Sequence, residues 1–310
     1  MTLLLNSDPQ YRLPLDEADR QSLGDSAAAE AQQFLLERHD YSTTPLHELQ
    51  SLAQRMGVST VFVKDESTRL GLGSFKALGG SYAVTRVVLE EASRRFGRSF
   101  GPGDLRNPAV RGVAQTMTVA CATDGNHGRS VAQGAQLIGA NAVIFVHAGV
   151  SDERVLAISR LGARIIRVDG TYDDSVAEAS RVSTENGWIV VSDTSWPGYE
   201  RIPALVMQGY TAMVGEIMNQ IPSPPTHLFI QAGVGGIAAA LAARLALLMQ
   251  DRRPFVTVVE PDRAPCVLQA ARSGKAVKIE AGESTAWQCL SATKHRWWPG
   301  ASSQELEMRS

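Results

Sequence analysis

The chain has 310 residues, which is room for two ordinary domains and excludes a minimal binding module. Its 30 Lys and Arg residues almost balance its 32 Asp and Glu residues, so its charge favours neither nucleic acid nor an anionic membrane as a partner. A hydrophobic content of 44% is typical of a folded protein. We therefore expect a globular protein whose partner is a small molecule.

Cysteine usage and apolar runs predict the compartment. Three cysteines, Cys121, Cys266 and Cys289, have no metal-ligand spacing and are odd in number, which favours a reducing compartment. The first ten residues hold too short an apolar run for a secretory signal, and Arg244 interrupts the longest apolar stretch, residues 232–249. We expect a cytoplasmic protein with neither a membrane span nor a metal site.

The predicted elements alternate between strand and helix along most of the chain. A polar lead-in, residues 1–45, holds one predicted helix at 26–38, and after Gly282 no strand or helix is predicted. Such alternation indicates parallel strands joined by helical crossovers. The predicted strands are 61–64, 117–121, 142–146, 164–168, 188–191, 227–231 and 255–260, and the predicted helices are 77–96, 128–138, 153–161, 173–185, 202–220 and 237–249.

The first candidate site loop is GLGSFKALGGSYA, residues 71–83, where one lysine lies between glycines just before a helix. Lys76 is flanked by Phe75 and Ala77, and poorly solvated surroundings favour the neutral amine that a Schiff base requires. The same spacing also fits an ordinary surface lysine at the start of a helix.

The second loop is ATDGNHGRS, residues 122–130, which follows a predicted strand and opens a helix. Open α/β sheets bind ligands at the carboxyl ends of their strands, so Asp124 and Asn126 are candidate site residues. Alternatively, Asp124 caps the helix and Gly125 or Asn126 forms a tight turn. For His127 we expect a structural hydrogen bond rather than a role as a base.

The third loop is IQAGVGGIAAALAARL, residues 230–245, in which glycines separate a strand from a helix. Backbone amides at such a helix start can hold an anion. The segment lacks the Lys-Ser/Thr pair of a Walker loop and the complete G-x-G-x-x-G pattern of dinucleotide sites. It therefore favours a cofactor with a single phosphate.

A lysine, an asparagine-bearing loop and a glycine phosphate loop are the parts that a pyridoxal phosphate enzyme uses. The order SFK, DGNHG, GVGG resembles the fold-type II pyridoxal phosphate enzymes, the group of the tryptophan synthase β-subunit and the serine/threonine dehydratases. The strings GSFKALGGSYA, TDGNHGRSVA and SDTSWPGYERIPALVMQGY resemble, within that group, the diaminopropionate ammonia-lyases. The resemblance runs from Asn6 to Thr285.

The resemblance implies a particular architecture. It implies an α/β fold with two open, twisted, mostly parallel sheets that carry helices on both faces. Residues 1–80 and 194–310 would form a large cofactor-binding domain, and residues 81–193 a small α/β domain. A homodimer is also implied.

The resemblance further implies roles for individual residues. Lys76 matches the Schiff-base lysine, which also moves a proton at Cα of an L-substrate, and Asn126 matches the residue that hydrogen-bonds O3′ of the cofactor. Asp124 stands where dehydratases usually have a small residue and matches the ammonia-lyase base that admits the D-isomer. The phosphate loop matches Gly233, Val234, Gly235, Gly236 and Ile237.

Asp193, in the SDTSW segment, matches a second acid near the substrate's amino groups, or else it caps the helix near Tyr199. Carboxylates complement a substrate with two amino groups, whereas a dehydratase binds a neutral hydroxyl. The implied reaction is α,β-elimination of D- or L-2,3-diaminopropionate to pyruvate and ammonia. Two alternatives remain open: a serine/threonine dehydratase-like lyase, and an inactive chain that at most binds the cofactor or a partner subunit.

The end of the chain departs from the family pattern. Residues 286–310 hold three of the five tryptophans and match no stretch of the family, so we expect an incomplete large domain without the group that faces the pyridine nitrogen. When the tail is translated back into its possible codons and read in a shifted frame, some codon choices give a string with helical periodicity that resembles the family's continuation. We therefore hypothesise a frameshift or an altered splice site near Thr285; the alternative is a native short isoform with an unstructured tail.

Overall fold

The computed structural model describes residues 2–6, 12–273 and 305–307. The chain packs as two compact units: unit 1 contains Met1–Ala27, Ser192–Thr211 and Pro225–Ser310, and unit 2 contains Ala28–Val191 and Ala212–Pro224. These units are divided differently from the predicted domains 1–80 with 194–310 and 81–193, which stay a prediction.

Strands and helices follow one another as the sequence pattern predicts. In chain order they are β1 Thr2–Leu4, α1 Glu17–Leu23, α2 Asp25–Leu36, β2 Leu46–Glu48, α3 Gln50–Met56, β3 Phe62–Lys64, α4 Lys76–Phe96, α5 Pro108–Gln115, β4 Thr118–Ala122, α6 Asn126–Ile138, β5 Asn141–His147, α7 Asp152–Ser159, β6 Arg164–Val168, α8 Tyr172–Asn186, β7 Ile189–Val190, α9 Arg201–Gln220, β8 His227–Gln231, α10 Gly236–Met249, β9 Phe255–Val259, α11 Cys266–Ser273 and β10 Glu305–Glu307.

Every predicted helix and strand is present, with bounds within two residues of those predicted. The sequence does not predict the short elements β1, α1, β2, α3, α5 and α11, since segments of three to eight residues carry little periodicity. The expectation of no strand after Gly282 is wrong at β10, which pairs antiparallel with β1. The rest of the tail, residues 274–304 and 308–310, and with it the frameshift hypothesis, lies outside the described residues.

A four-stranded parallel sheet with the order β6-β5-β4-β7 forms the centre of unit 2. Its central strands are apolar on both faces, as strands covered by helices must be: Ala120, Ile144 and Phe145 are wholly buried. Local signals set the ends of the crossover helices. Thr171 and Asp174 form a capping box at the start of α8, and Gly187 ends that helix in the left-handed region.

Unit 2 also contains a buried ionic cluster that links the chain segment before Lys76 to Glu216 on α9. Arg69, wholly buried, donates Nη1 to Glu216 at 2.6 Å, and its Nη2 lies 2.7 Å from Oε1 of Glu66. Lys64 also reaches Glu216, with Nζ 2.6 Å from Oε2. Because each charge has an opposite partner, the cluster can exist without water.

In unit 1, β8 and β9 pair in parallel, and α10 connects them. The helix is rich in alanine and leucine, and Ala240 and Leu241 are almost entirely buried. Among the described residues of the whole chain, no helix is both long and apolar enough to cross a membrane. The same residues contain no cluster of three acidic, histidine or cysteine side chains that could hold a metal ion.

Candidate active site

Lys76 lies at the start of α4, as predicted within one residue. Its backbone N–H donates to Oγ of Ser74 at 3.3 Å, and its side chain is half-buried. Gly71 and Gly73 in the preceding loop have positive φ angles of 69°, a region that glycine enters without strain. The glycines thus let the chain turn sharply and present Lys76 at the helix start.

The first turn of α4 is fastened to α6 by one serine. Oγ of Ser130 accepts the N–H of Ser81 at 2.9 Å and donates to the carbonyl of Ala77 at 3.2 Å. A Cβ atom on Gly80 would lie 2.7 Å from that Oγ, so glycine permits the close approach of the two helices. Ala77 follows Lys76 directly, so this contact ties the lysine to the helix that Asn126 begins.

The turn between β4 and α6 is held by Thr123. Its Oγ1 accepts the N–H groups of Gly125 and Gly128, each at 3.1 Å. The N-cap position of α6 is Gly125, which has no side chain, and Thr123 rather than Asp124 holds the N–H groups at this helix start. The alternative interpretation of Asp124 as the helix cap is therefore wrong, and its carboxylate is available for another purpose.

Asp124 lies half-buried beside three cationic or titratable groups. Nε2 of His147 is 3.0 Å from Oδ1 of Asp124, and the guanidinium of Arg154 donates to the Asp124 carbonyl at 3.3 Å. Burial raises the pKa of Asp124 above its usual range, while His147, Arg154 and Lys76 act in the opposite direction. Lys76 and Asp124 thus share one electrostatic environment.

The neighbours of Asp124 in the DGNHG motif have distinct roles. Asn126 is the first residue of α6, and its side chain is exposed. His127 is buried, with Nε2 2.8 Å from the carbonyl oxygen of Val191, just after β7. The structural hydrogen bond predicted for His127 is confirmed.

The glycine loop lies in unit 1, between β8 and α10. Gly235 precedes α10 with a φ of +89°, and no side chain of the described residues caps this helix start. A Cβ atom on Gly233 would meet open space, so the backbone there is approachable. The N–H groups of the first turn, at Gly236 and Ile237, can therefore bind an anion.

Asp193 also belongs to unit 1, in the loop before α9. The loop is braced by aromatic side chains, since the Tyr199 hydroxyl accepts the N–H of Ser192 at 2.9 Å and the Trp196 ring stacks on Tyr199 at 4.0 Å. Asp193 is half-buried. Its predicted role at the substrate stays a prediction.

The structure thus brings together Lys76, Asp124 and Asn126 within unit 2, while Asp193 and the glycine loop are placed within unit 1. Sequence reasoning missed His147, the last residue of β5. The available signal was its position at the carboxyl end of the strand that follows β4 and α6, since such ends meet at one edge of a parallel sheet.

Sequence comparison places the chain among known proteins. Residues 38–295 match the family of pyridoxal-phosphate dependent enzymes. The chain is 39% identical to diaminopropionate ammonia-lyase of Escherichia coli K12 over 257 residues, which cover 82% of this chain and 63% of that enzyme. It is 40% identical to the Salmonella typhimurium enzyme of the same name over 75% of this chain and 58% of the relative. The chain spans less than two thirds of the length of these relatives.

Solved structures agree with this placement. Holo diaminopropionate ammonia-lyase of Escherichia coli superimposes with a TM-score of 0.82 at 34% identity, covering 96% of this chain and 74% of the other. The same enzyme with an aminoacrylate–PLP azomethine reaction intermediate gives a TM-score of 0.80, also at 34% identity, over 96% and 73% of the two chains. The predicted α/β fold is confirmed, and the chain belongs to the family of pyridoxal-phosphate dependent enzymes.

Proposed function

We propose that this chain catalyses the pyridoxal phosphate-dependent α,β-elimination of 2,3-diaminopropionate, releasing pyruvate and ammonia from both the D- and the L-isomer. The observation that carries the proposal is the half-buried carboxylate of Asp124 at the carboxyl edge of the parallel sheet, in the unit that also holds Lys76; both groups can move protons. A serine/threonine dehydratase has no evident use for a buried acid beside its lysine, because its leaving group is an uncharged hydroxyl.

The residues present fit the cofactor. Lys76 would hold its aldehyde carbon, and the exposed side chain of Asn126 would hydrogen-bond its O3′. Its phosphate would lie at the glycine loop, Gly233 to Ile237, whose uncapped helix start supplies N–H donors. When bound, the ring would withdraw electrons from the bond that loses its proton at Cα.

The chain's own groups divide the proton transfers. We assign removal of the Cα proton of the L-isomer to Lys76 and of the D-isomer to Asp124. Because burial raises the pKa of Asp124, its carboxylate is a stronger base than an exposed aspartate. Asp193 is proposed to bind the substrate's amino groups, where a carboxylate complements their positive charge.

The direct test is pyruvate release from four substrates by the purified chain loaded with pyridoxal phosphate: D- and L-2,3-diaminopropionate, L-serine and L-threonine. We expect both diaminopropionate isomers to give pyruvate faster than serine gives pyruvate or threonine gives its own 2-oxo acid. Preference for serine or threonine contradicts the proposal in favour of a dehydratase.

Two variants distinguish an inactive cofactor-binding chain from a lyase. Lys76→Ala should lose turnover of both isomers and the visible absorbance of lysine-bound cofactor, because no other group supplies the Schiff base. Lys76→Arg, which keeps the positive charge, should lose both equally. Visible absorbance in the unaltered chain without product from any substrate indicates a protein that only binds the cofactor.

We also propose that the chain works as a homodimer in the cytoplasm, with a small amino acid as its partner. The resemblance of its motifs to the ammonia-lyases supports the dimer. Light scattering coupled to gel filtration should give twice the mass of one chain, and a monomeric mass contradicts this part of the proposal.

A further inference from the structure

The register of the parallel sheet in unit 2 brings a histidine to the level of Asp124. Ala122 on β4 is paired with Phe145 on β5, and the N–H of Thr123 continues the ladder by donating to the Phe145 carbonyl at 3.0 Å. Asp124 and His147 each lie two residues beyond the Ala122–Phe145 pair. Their side chains therefore meet at the carboxyl edge of the sheet.

The hydrogen bonds of His147 define which ring nitrogen carries the proton. The backbone N–H of Gly149 donates to Nδ1 at 3.0 Å, so Nδ1 is an acceptor and the ring proton is on Nε2. Nε2 faces Oδ1 of Asp124 at 3.0 Å. The nitrogen that faces the carboxylate is therefore the one that carries the ring proton.

Gly149 is the residue that makes this arrangement possible. A Cβ atom at this position would lie 3.1 Å from Nδ1 of His147 and only 2.8 Å from Cε1, and the second distance is closer than Cβ atoms approach in folded proteins. The ring is only 12% exposed and the Asp124 side chain 15%, so little water competes for the bond. A polar contact with a charged group is stronger where water is largely excluded than at an exposed surface.

Other charges around Asp124 come from different elements and do different work. Arg154, on α7, donates to the backbone carbonyl of Asp124 rather than to its carboxylate. Lys76, on α4, acts on Asp124 through its charge. His147, on β5, instead places its Nε2 3.0 Å from the Asp124 carboxylate itself.

We propose that His147 is a positioning residue for Asp124, which it orients and keeps ionised through the 3.0 Å contact between Nε2 and Oδ1, and that it supports turnover of the D-isomer only. The inference rests on the proposed function, in which Asp124 serves the D-isomer and Lys76 the L-isomer. His147 exchanges no proton with substrate in this assignment. It acts through the orientation and charge of its neighbour.

The kinetic test compares His147→Phe with His147→Gln in the holoenzyme, using both isomers over a range of pH. Phe removes the donor, so we expect kcat for the D-isomer to fall about tenfold. The acid limb of the D-isomer profile should move to higher pH, because the carboxylate has lost a stabilising polar contact. Gln can donate from its amide and should restore most of both effects, while L-isomer kinetics stay unchanged.

The matched control is His47→Phe, because His47 also lies beside a carboxylate, Asp65 at 3.5 Å, but is 53% exposed. We expect this variant to leave both isomer rates and the pH profile unaltered. Equal losses for D- and L-isomers in His147→Phe, or a D-isomer profile that does not move, overturn the inference.

A readout independent of turnover is ¹⁵N NMR of the histidine-labelled holoenzyme. Among the six histidines, the signals absent from His147→Gln identify His147. We expect an unprotonated Nδ1 and a protonated Nε2, and the opposite tautomer overturns the inference. If neither isomer yields pyruvate, the proposed function fails, whereas the tautomer still decides whether His147 donates to Asp124.

Discussion

Unit 2 holds a buried acid, Glu216, and a half-buried acid, Asp124, whose surroundings differ sharply. Glu216 accepts hydrogen bonds from Lys64 at 2.6 Å, from Arg69 at 2.6 and 2.8 Å, and from the Tyr41 hydroxyl at 3.0 Å. Asp124, within the described residues, has one side chain, that of His147, against its carboxylate. One acid is surrounded by full positive charges and the other is not.

The pKa values follow from these donors. Burial by itself raises the pKa of both acids, but the hydrogen bonds and charges of Arg69 and Lys64 lower that of Glu216 to about 2. The weaker compensation at Asp124 leaves its pKa raised. Burial alone therefore does not identify a catalytic base. The number and charge of the donors decide whether a buried acid is structural or reactive.

The largest expected effect is the loss of catalysis when Asp124, the acid with few positive neighbours, is replaced. Asp124→Asn should lower turnover of D-2,3-diaminopropionate by about 100-fold or more, because an amide of the same shape cannot accept the proton. L-isomer turnover should persist through Lys76. Pyruvate release from the separate isomers measures both, and a parallel loss for the L-isomer would mean that Asp124 does not act on one face of the substrate.

The next largest effect is the loss of folding stability when Glu216, the acid paired with two cations, is replaced. Glu216→Gln should cost about 3–5 kcal/mol in the free energy of unfolding, because two buried cations lose their shared carboxylate. Urea denaturation measures the change. Glu178→Gln is the matched control, since Glu178 pairs with Arg181 at an exposed site and should contribute almost nothing. A small effect at Glu216 would remove the basis of the contrast.

The two acids should also give opposite pH dependence. The pKa of Glu216 is about 2 in the folded chain against an ordinary 4.5, so its ionised form stabilises the fold above pH 4.5. That contribution is lost as the pH falls through about 2. The pKa of Asp124 is raised above its ordinary 3.8 in the folded chain, so its contribution to the free energy of unfolding is present below pH 3.8. That contribution is lost as the pH rises through the raised pKa.

Unfolding free energies measured against pH for the unaltered chain, Glu216→Gln and Asp124→Asn separate these contributions. The difference between the chain and Glu216→Gln should shrink in acid. The unaltered chain should lose stability relative to Asp124→Asn as the pH rises, so the amide costs less free energy of unfolding at neutral pH than in acid. If the difference in unfolding free energy changes with pH in the same direction for both variants, the contrast between Glu216 and Asp124 is contradicted.

The smallest effect concerns the contact that ties Lys76 to α6. Ser130→Ala should destabilise the chain by about 1 kcal/mol, since it leaves the N–H of Ser81 without its partner. Ser159→Ala is the control, because its hydroxyl donates only within the last turn of α7. Thermal unfolding of the two variants gives the difference, and equal midpoints would show that Ser130 contributes little.

The three loops show most clearly which features of the candidate site can be predicted from the sequence. Lys76, Asn126 and the glycines before α10 lie at strand or helix ends that apolar periodicity and glycine placement indicate directly. The unpredicted helices α3 and α5 are short, and the capping of α6 by Thr123 rather than Asp124 depends on backbone geometry that composition does not encode.

Length, charge, composition and these three loops determine, from the sequence alone, that the chain is a folded α/β protein with a lysine, an acid and a glycine loop at element ends. Those are local properties, because a few consecutive residues decide them. Tertiary structure decided that His147 faces Asp124 and that Glu216 is surrounded by Arg69 and Lys64. These pairs are far apart in the chain, and only strand register and helix packing bring them within hydrogen-bond distance.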